Sequence, residues 1–277
     1  MSQKSYDNTP CLYLIPTPIG NMDDITYRAV KILNEVELVL SEDTRVTGLL
    51  LKHLNIKKRL VANHEHNEER NKELVKKYLE EGKNIGLVSD RGTPVISDPG
   101  FEIAKYVIEI GYNVVPLPGA TALIPALIAS GLDPMPFTFY GFLNSKESKR
   151  KKEIEELKEI RHTMIFYEAP HRISQTLENM LEIFGNRKMC LAREISKRYE
   201  EIYRGTIKEV KDQITDIKGE IVFLVEGNKT EKNYDDISVV EQVNMLIEDG
   251  MSQMDAIKKV AKLRNVSKSE IYSQYHK

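Results

Sequence analysis

The sequence predicts an α/β protein of two lobes, a parallel-sheet N-terminal lobe and a mixed-sheet C-terminal lobe, followed by a small helical tail. Three observations carry this. Short apolar runs alternate with amphipathic helical patterns through the first half, the mark of βαβ crossovers. Beyond residue 138 some neighbouring strands are too close in sequence for a helical crossover, which brings in antiparallel pairs. A polar stretch, 227–236, then reads as a linker to three short helical patterns. The expected boundaries are 11–118 and 119–227 for the lobes and 237–277 for the tail.

Taken in order, 11–15, 37–41, 59–62, 84–89 and 112–117 read as buried strands of the first lobe. Between them, 26–36 places Ala29, Ile32, Leu33 and Val36 on one helical face. Helix 68–81 carries a stripe of Leu74, Val75, Tyr78 and Leu79 and stops at Gly82, and 101–110 stops at Gly111. In the second lobe the strands are 137–140, 163–168, 188–193, 201–203 and 220–226. The helices are 145–160, 173–184 and 206–215. The tail patterns are 239–248, 253–262 and 268–275. Arg264-Asn265-Val266 divides the last two, with Asn265 suited to a left-handed turn and Ser267 to the next N-cap, as in a helix-turn-helix.

The length, 277 residues, fits about two domains. Lys and Arg number 40 against 42 Asp and Glu, so the whole molecule is no polycation and any polyanion must meet a local patch. From Met251 onward six basic residues face two acidic ones, which makes the tail such a patch. Two cysteines far apart exclude a disulfide framework and a Cys-x-x-Cys site. The first ten residues lack the apolar core of a secretory signal. Residues 110–132 carry no charge and could span a bilayer by length, but Gly111, Pro116, Pro118, Gly119, Pro125 and Gly131 interrupt them. A strand, a tight loop and a short helix fit better, and the expectation is a soluble, cytoplasmic protein.

No Gly-x-Gly and no Walker A spacing occur, which excludes a glycine-rich dinucleotide or phosphate loop. His64-Glu65-His66 lacks metalloprotease spacing, and no metal site is expected. Four loops at the carboxyl ends of strands are rich in Pro, Gly, Ser, Thr and Asp: 16–21, 41–45, 89–100 and 116–122. Ligands of open parallel sheets bind there. Each loop has a plain structural reading too, such as Asp98-Pro99 as an N-cap and first helical residue.

LYLIPTPIGN, SEDTR, NHEHN, SDRGTPVISDPG, PLPGATALIPALIASGL, GFL, IFYEAPHR, ARE and GEIVFLVEG follow one another in this order. Together they resemble the ribosomal RNA small subunit methyltransferase I family of the tetrapyrrole methylase superfamily. The likeness runs from Leu12 to Gly227 and extends to the helical tail. It implies a homodimer that moves a methyl group from S-adenosylmethionine, folded in the cleft between the lobes, to the ribose 2′-hydroxyl of a cytidine in the decoding region of 16S rRNA. Free rRNA or the small ribosomal subunit is the implied partner. Carried over by motif, the first-lobe donor contacts are Pro16, Asp90, Gly92, Thr93, Pro94, Ser97 and Asp98. Pro118, Gly119, Ala120, Thr121 and Ala122 close the adenosyl side, and Tyr167 or Glu168, Ala192 and strand GEIVF contribute from the second lobe.

Displacement by a ribose hydroxyl is helped by a general base. The candidates are Glu42, Asp43, His64, His66, Glu168 and Glu194, with Asp43, His64 and Glu168 preferred for the catalytic role. On this reading Asp43→Ala loses turnover and keeps donor binding. Arg45, His171, Arg172 and Arg193 read as phosphate or orientation contacts. Lys149, Arg150, Lys151 and Lys152, and in the tail Lys258, Lys259, Lys262, Arg264 and Lys268, are the RNA-binding candidates. The family usually has alanine where this chain has Arg91. A guanidinium in contact with a sulfonium would be unfavourable by ~1–4 kcal/mol, so Arg91 is expected to face solvent, an acid or RNA phosphate. Two other readings remain open on the residues: the same fold with a small-molecule acceptor, and a non-catalytic RNA-binding protein.

Overall fold

Five runs of four residues, most of them rich in aliphatic side chains, lie side by side as a parallel sheet. They are β1 (Cys11–Leu14), β2 (Leu38–Ser41), β3 (Arg59–Ala62), β4 (Ile85–Val88) and β5 (Asn113–Pro116), in the order β3-β2-β4-β1-β5. The computed structural model describes residues 2–5, 7–64, 67–230, 237–248 and 250–276. Helices α1 (Tyr27–Glu35) and α2 (Thr44–His53) cover one face, where Ile32, Leu33 and Leu51 pack on Ile15, Val39 and Val88. Helices α3 (Glu68–Glu80) and α4 (Phe101–Glu109) cover the other, where Val75, Leu79, Ile103 and Val107 pack on Leu12, Leu38, Leu40 and Ile85. A sheet covered on both faces explains why β1, β2 and β4 read as continuous apolar runs.

The strand order decides where a ligand fits. Strands β1 and β4 are neighbours, yet the helices that follow them pack on opposite faces. The loops after these strands therefore part company, and open α/β sheets bind ligands in that crevice.

Two local readings need correction. Residues 44–53, of which only 44 and 45 were read, as the end of a loop, form α2, capped by Asp43, whose carboxylate accepts the Arg45 N–H. Asp98 does not cap α4; Gly100 does, at φ +119°. Its N–H donates to Glu68 Oε1 at 2.7 Å, and the Asn63 side-chain amide donates to the same oxygen at 3.2 Å. Buried Asn71 donates in turn to Asn63. A carboxylate at the start of α3 thus ties the loop after β3 to the end of the loop after β4.

The second sheet is mixed, as expected. Strands β6 (Phe137–Phe142), β7 (Thr163–Glu168), β8 (Lys188–Arg193), β9 (Glu201–Thr206) and β10 (Ile221–Val225) lie in the order β6-β7-β10-β8-β9. Only β6 and β7 run parallel. Helix α5 (Leu123–Ala129) packs Ala126 and Leu127 on Ile165, Cys190, Val222 and Leu224. Helices α6 (Glu147–Leu157), α7 (Ile173–Phe184) and α8 (Ile207–Gln213) fill the opposite face around Phe166 and Phe223, whose rings stack at 5.1 Å. The charge-free stretch 110–132 resolves into β5, a loop and α5, and no helix among the described residues is long and apolar enough to cross a membrane.

Residues 229–277 form a separate compact unit. Helices α9 (Val239–Glu248), α10 (Gln253–Leu263) and α11 (Lys268–Tyr275) bury Val243, Leu246, Ile257, Val260 and Ile271 together. Asn265 takes φ +53° in the α10–α11 turn, and Ser267 caps α11. Most of the linker expected at 227–236 lies outside the described residues.

Replacing Glu68 by alanine strands the Gly100 N–H and the Asn63 amide in a buried place. The expected loss is about 1–3 kcal/mol of unfolding free energy, read from a urea titration; an unchanged midpoint would remove this contact from the account.

Candidate functional site

The loops after β1, β4 and β5 are stitched to one another by their backbones. Thr17 and Gly92 exchange hydrogen bonds at 2.9 and 3.0 Å, extending the sheet by one antiparallel pair. The Thr93 hydroxyl donates to the Ala120 carbonyl at 3.0 Å. Gly119 lies so close to Pro16 that a Cβ on it would fall 2.4 Å from the Pro16 Cβ. Gly92 needs glycine as well, since its φ is +80° and its Cβ would meet Ile19 at 3.1 Å. Val95 at φ +78° and Ser97 at φ +65° hold the rest of this loop in conformations L-residues avoid. Such strain costs ~1–3 kcal/mol per residue and collects at functional sites.

A cleft of about 580 Å³ opens between this loop cluster and the second sheet. Gly92, Thr93, Ser97 and Asp98 line it from one side. Thr121, Ala122, Tyr167 and Glu168 line it from the other. Apolar side chains, Ile19, Ile96, Phe142, Ile195 and Val222 among them, make up much of the wall. The end of β7 reaches the cleft beside the start of β10, because Tyr167 pairs with Val222 and Glu168 with Ile221. Several contacts cross the cleft. Ser196 donates to Asp24, and a Cβ on Gly141 would touch the Ser97 hydroxyl at 3.3 Å.

Among the described residues the lining carries three carboxylates, Asp98, Glu168 and Glu220, and one cation, Arg91. Arg91 turns onto an acid, one of the three destinations expected for it: its guanidinium meets Glu220 Oε1 at 2.5 Å. The other Glu220 oxygen takes Lys197 Nζ at 2.8 Å, and Lys197 also holds Glu194 at 2.7 Å. Burial pushes the Asp98 carboxyl up to about 6, helped by Glu42 and Asp90 and opposed by the Ser89 hydroxyl. Burial raises Glu42 too, with Asp90 as the next cause. Tyr167 is raised by burial and by Asp98, while Thr121 bonds its hydroxyl.

Of the donor contacts expected from the resemblance, Gly92, Thr93, Ser97, Asp98, Thr121, Ala122 and Tyr167 line the cleft. Pro16, Gly119 and Ala120 stand behind it in the loop-to-loop packing. Asp90 accepts the Asp43 N–H at 2.9 Å, which binds the second loop to the third. Pro94 is buried, Pro118 is exposed, and Ala192 is sealed in β8 among the residues packed with α5.

The catalytic candidates do not converge. Asp43 caps α2 and holds Arg45 in a two-pronged pair, and that partner keeps its carboxyl at about 2. Such a weakly basic carboxylate is ill suited to take a proton. Glu168 is buried, accepting the Ala169 N–H and the Thr176 hydroxyl and pairing with Arg172 Nε at 3.2 Å. His64 sits in the turn after β3, its backbone N–H bonded to the Asn67 side chain; His66 lies outside the described residues.

The charged run on α6 divides by helical face. Arg150 corrects the expectation of an RNA contact, since it is 3% exposed and bonds Asn179 and the Ser145 carbonyl. Arg172 likewise donates inward, to the Leu143 and Asn144 carbonyls. Lys151 pairs with Glu182, while Lys149 and Lys152 are exposed. Arg45 is exposed but paired with Asp43. In the tail Arg264 bonds Gln242, Lys258 pairs with Asp255, and Lys259, Lys262 and Lys268 are exposed. Glu220 and Val222 belong to the GEIVF strand expected from the resemblance, while Ile19, Ile96, Phe142 and Ile195 were not singled out from sequence. The usable signal was apolar residues such as Ile19 and Ile96 inside otherwise polar loops.

A cleft between two α/β lobes, built from loops and not from a glycine-rich turn, defines a class. The family described as Tetrapyrrole (Corrin/Porphyrin) Methylases matches residues 11–211, and the chain belongs to it as a methyltransferase. Within that class it groups with proteins named ribosomal RNA small subunit methyltransferase I. The one from Bacillus subtilis (strain 168) is 47% identical, over 100% of this chain and 97% of that protein. The one from Haemophilus influenzae is 43% identical, over 96% of each. Among solved structures, a uroporphyrin-III-C-methyltransferase from Thermus thermophilus shares the fold, with TM-score 0.53 and 19% identity over 79% of this chain and 92% of that one.

Gly92→Ala places a Cβ at positive φ, at an expected cost of about 1–2 kcal/mol before the Ile19 contact is counted. Urea titration measures it, and a midpoint equal to that of the unaltered protein would show that the loop does not need its glycine.

Proposed function

We propose that the chain is an S-adenosylmethionine-dependent methyltransferase of the ribose 2′-hydroxyl of a cytidine in the decoding region of 16S rRNA. It acts as a cytoplasmic homodimer on 16S rRNA or the small ribosomal subunit. Lobes 11–118 and 119–227 form its two jaws, and 237–277 is a helix-turn-helix-like tail. The single observation that carries the reading is the charge of the cleft: its one lining cation, Arg91, is paired with Glu220, which leaves Asp98 and Glu168. The relatives' printed name supports an rRNA acceptor.

The residues fit the donor. When bound, S-adenosylmethionine supplies a methyl carbon made electrophilic by a positively charged sulfur. A cation is favoured where carboxylates outnumber free cations. Ile19, Ile96, Phe142, Ile195 and Val222 give an apolar wall for an adenine ring and keep water out. Gly92, Thr93, Thr121 and Ala122 would hold the donor through backbone and hydroxyl groups, with Ser97 and Tyr167 at the polar end. Positioning two reactants in a closed cleft supplies much of the acceleration for a displacement of this kind. On the RNA side, Lys149, Lys152, Lys259, Lys262 and Lys268 present exposed ammonium groups. Such groups fit phosphates and make binding weaken with salt.

Calorimetry is expected to show saturable binding of S-adenosylmethionine. Small subunits from cells lacking the protein then gain one ribose methyl, located by mapping the modified nucleotide. A folded chain that ignores the donor would end this reading. Asp43→Asn keeps a good N-cap and is expected to retain turnover within about threefold, since a carboxylate at about 2 is a poor base; a hundredfold loss would restore Asp43 as the base. For the RNA contacts, Lys149→Glu with Lys152→Glu should weaken RNA binding and flatten its dependence on log salt by about one to two, read by filter binding across a salt series; an unchanged slope would clear this helix face.

A further inference from the structure

The proposed reaction leaves a proton without a destination, and the cleft offers few. Three carboxylates line it among the described residues. Glu168 accepts the Ala169 N–H at 2.8 Å and the Thr176 hydroxyl at 2.7 Å, and Arg172 Nε stands 3.2 Å from its Oε1. Glu220 gives one oxygen to Arg91 and the other to Lys197. A carboxylate that gains a proton must surrender such partners, so these two are committed. Asp98 differs. The Ser89 hydroxyl approaches it, but the same hydroxyl lies 3.3 and 3.2 Å from the Arg91 and Gly92 carbonyls.

We propose that Asp98 is the catalytic base that takes the proton of the acceptor hydroxyl, with Glu42 beside it keeping it receptive. The proposal rests on the preceding reading of a hydroxyl acceptor. Three strand ends bring an acid or a phenol near Asp98, and Arg91 of its own loop is turned onto Glu220. Glu42 faces it from the end of β2, Asp90 from the end of β4, and Tyr167 from β7 across the cleft. Asp90 is bound to the Asp43 N–H and Tyr167 to Thr121, and an acid and a phenol supply no counter-charge to Asp98. Burial and like charge together disfavour the ionised form, which makes a carboxylate a better proton acceptor near neutral pH. Gly92, Val95, Ser97 and Gly100, all at positive φ, hold the loop that presents it.

The step balances. The hydroxyl oxygen forms a bond to the methyl carbon while the carbon–sulfur bond breaks, and that electron pair stays on sulfur. The hydroxyl proton passes to an Asp98 carboxylate oxygen. The positive charge of the sulfonium and the negative charge of the carboxylate vanish together, and the proton leaves to water before the next turnover.

The test uses the full chain and small subunits, with S-adenosylmethionine and S-adenosylhomocysteine as binding probes. Asp98→Asn is expected to keep both calorimetric affinities within about threefold and to lower the single-turnover rate at saturating donor by 100-fold or more, the range of general-base catalysis. In the unaltered protein the rate at saturating donor rises with pH through one inflection and then levels, and in Asp98→Asn this inflection disappears. Glu42→Gln removes a neighbouring negative charge and moves the inflection to lower pH with donor affinity kept. With donor bound, carboxyl-carbon NMR of Asp98 should titrate at the pH of the kinetic inflection in the unaltered protein, and at the lower pH in Glu42→Gln, independently of activity. Because the folded pKa lies above that of the unfolded chain, ionisation above pH 6 works against the fold. Asp98→Asn should therefore melt higher at pH 8, which also shows that it folds. Tenfold or greater loss of donor affinity with a normal rate at saturation would make Asp98 a donor contact and overturn the proposal. An inflection that survives in Asp98→Asn would overturn it too. An unaltered protein that binds no donor would overturn the preceding reading along with it, and is told apart by the binding isotherm alone.

Discussion

Two backbone hydrogen bonds between Thr17 and Gly92 set the geometry on which the cleft depends. They fall where β1 and β4 lie adjacent while their helices pack on opposite faces. Loops that separate at such a point would ordinarily be independent. Here the exchange holds them together for one more residue pair, and the Thr93–Ala120 bond and the Pro16–Gly119 contact bring in the loop after β5. The result is a rigid rim made from three segments distant in sequence. Its stiffness lets Val95 and Ser97 stay at positive φ. The residues that do this work, Pro16, Gly119 and Ala120, belong to the motif and act through contacts between loops.

The electrostatics follow from the same arrangement. Bringing the ends of β2 and β4 together gathers Glu42, Asp90 and Asp98 in one corner, and burial then acts on the charges that neighbours do not neutralise. On the opposite wall, Glu168 and Glu220 are fully engaged by Arg172, Thr176, Arg91 and Lys197. One side of the cleft is thus polar and settled, the other polar and responsive. That division is a property of placement, because residues of the same chemistry line both sides.

Much of the fold was legible because its cues are local. Strands β7 and β8, helix α7 and the three tail helices fall within a residue of their expected bounds, since apolar period, serine caps and stop signals agree there. Helix α2 was missed for a physical reason. Its apolar residues lie on both sides: Leu50 and Leu51 are buried, while Val46 and Leu49 face outward, which blurs the period. The cap of α4 could not be read locally, since its partner Glu68 is 32 residues away. Arg150 was hidden by its neighbours in a basic run, although its spacing to Ile154 and Leu157 places it on the core face. The motif loops located the cleft, but which of their residues face it depends on pairings between loops, and no spacing along one chain encodes those.

Glu220 answers to two cations from two different segments, Arg91 and Lys197. A chain with alanine at position 91 would still leave that acid with its lysine, so no stranded anion follows from the change. This redundancy keeps Glu220 paired whichever residue stands at position 91.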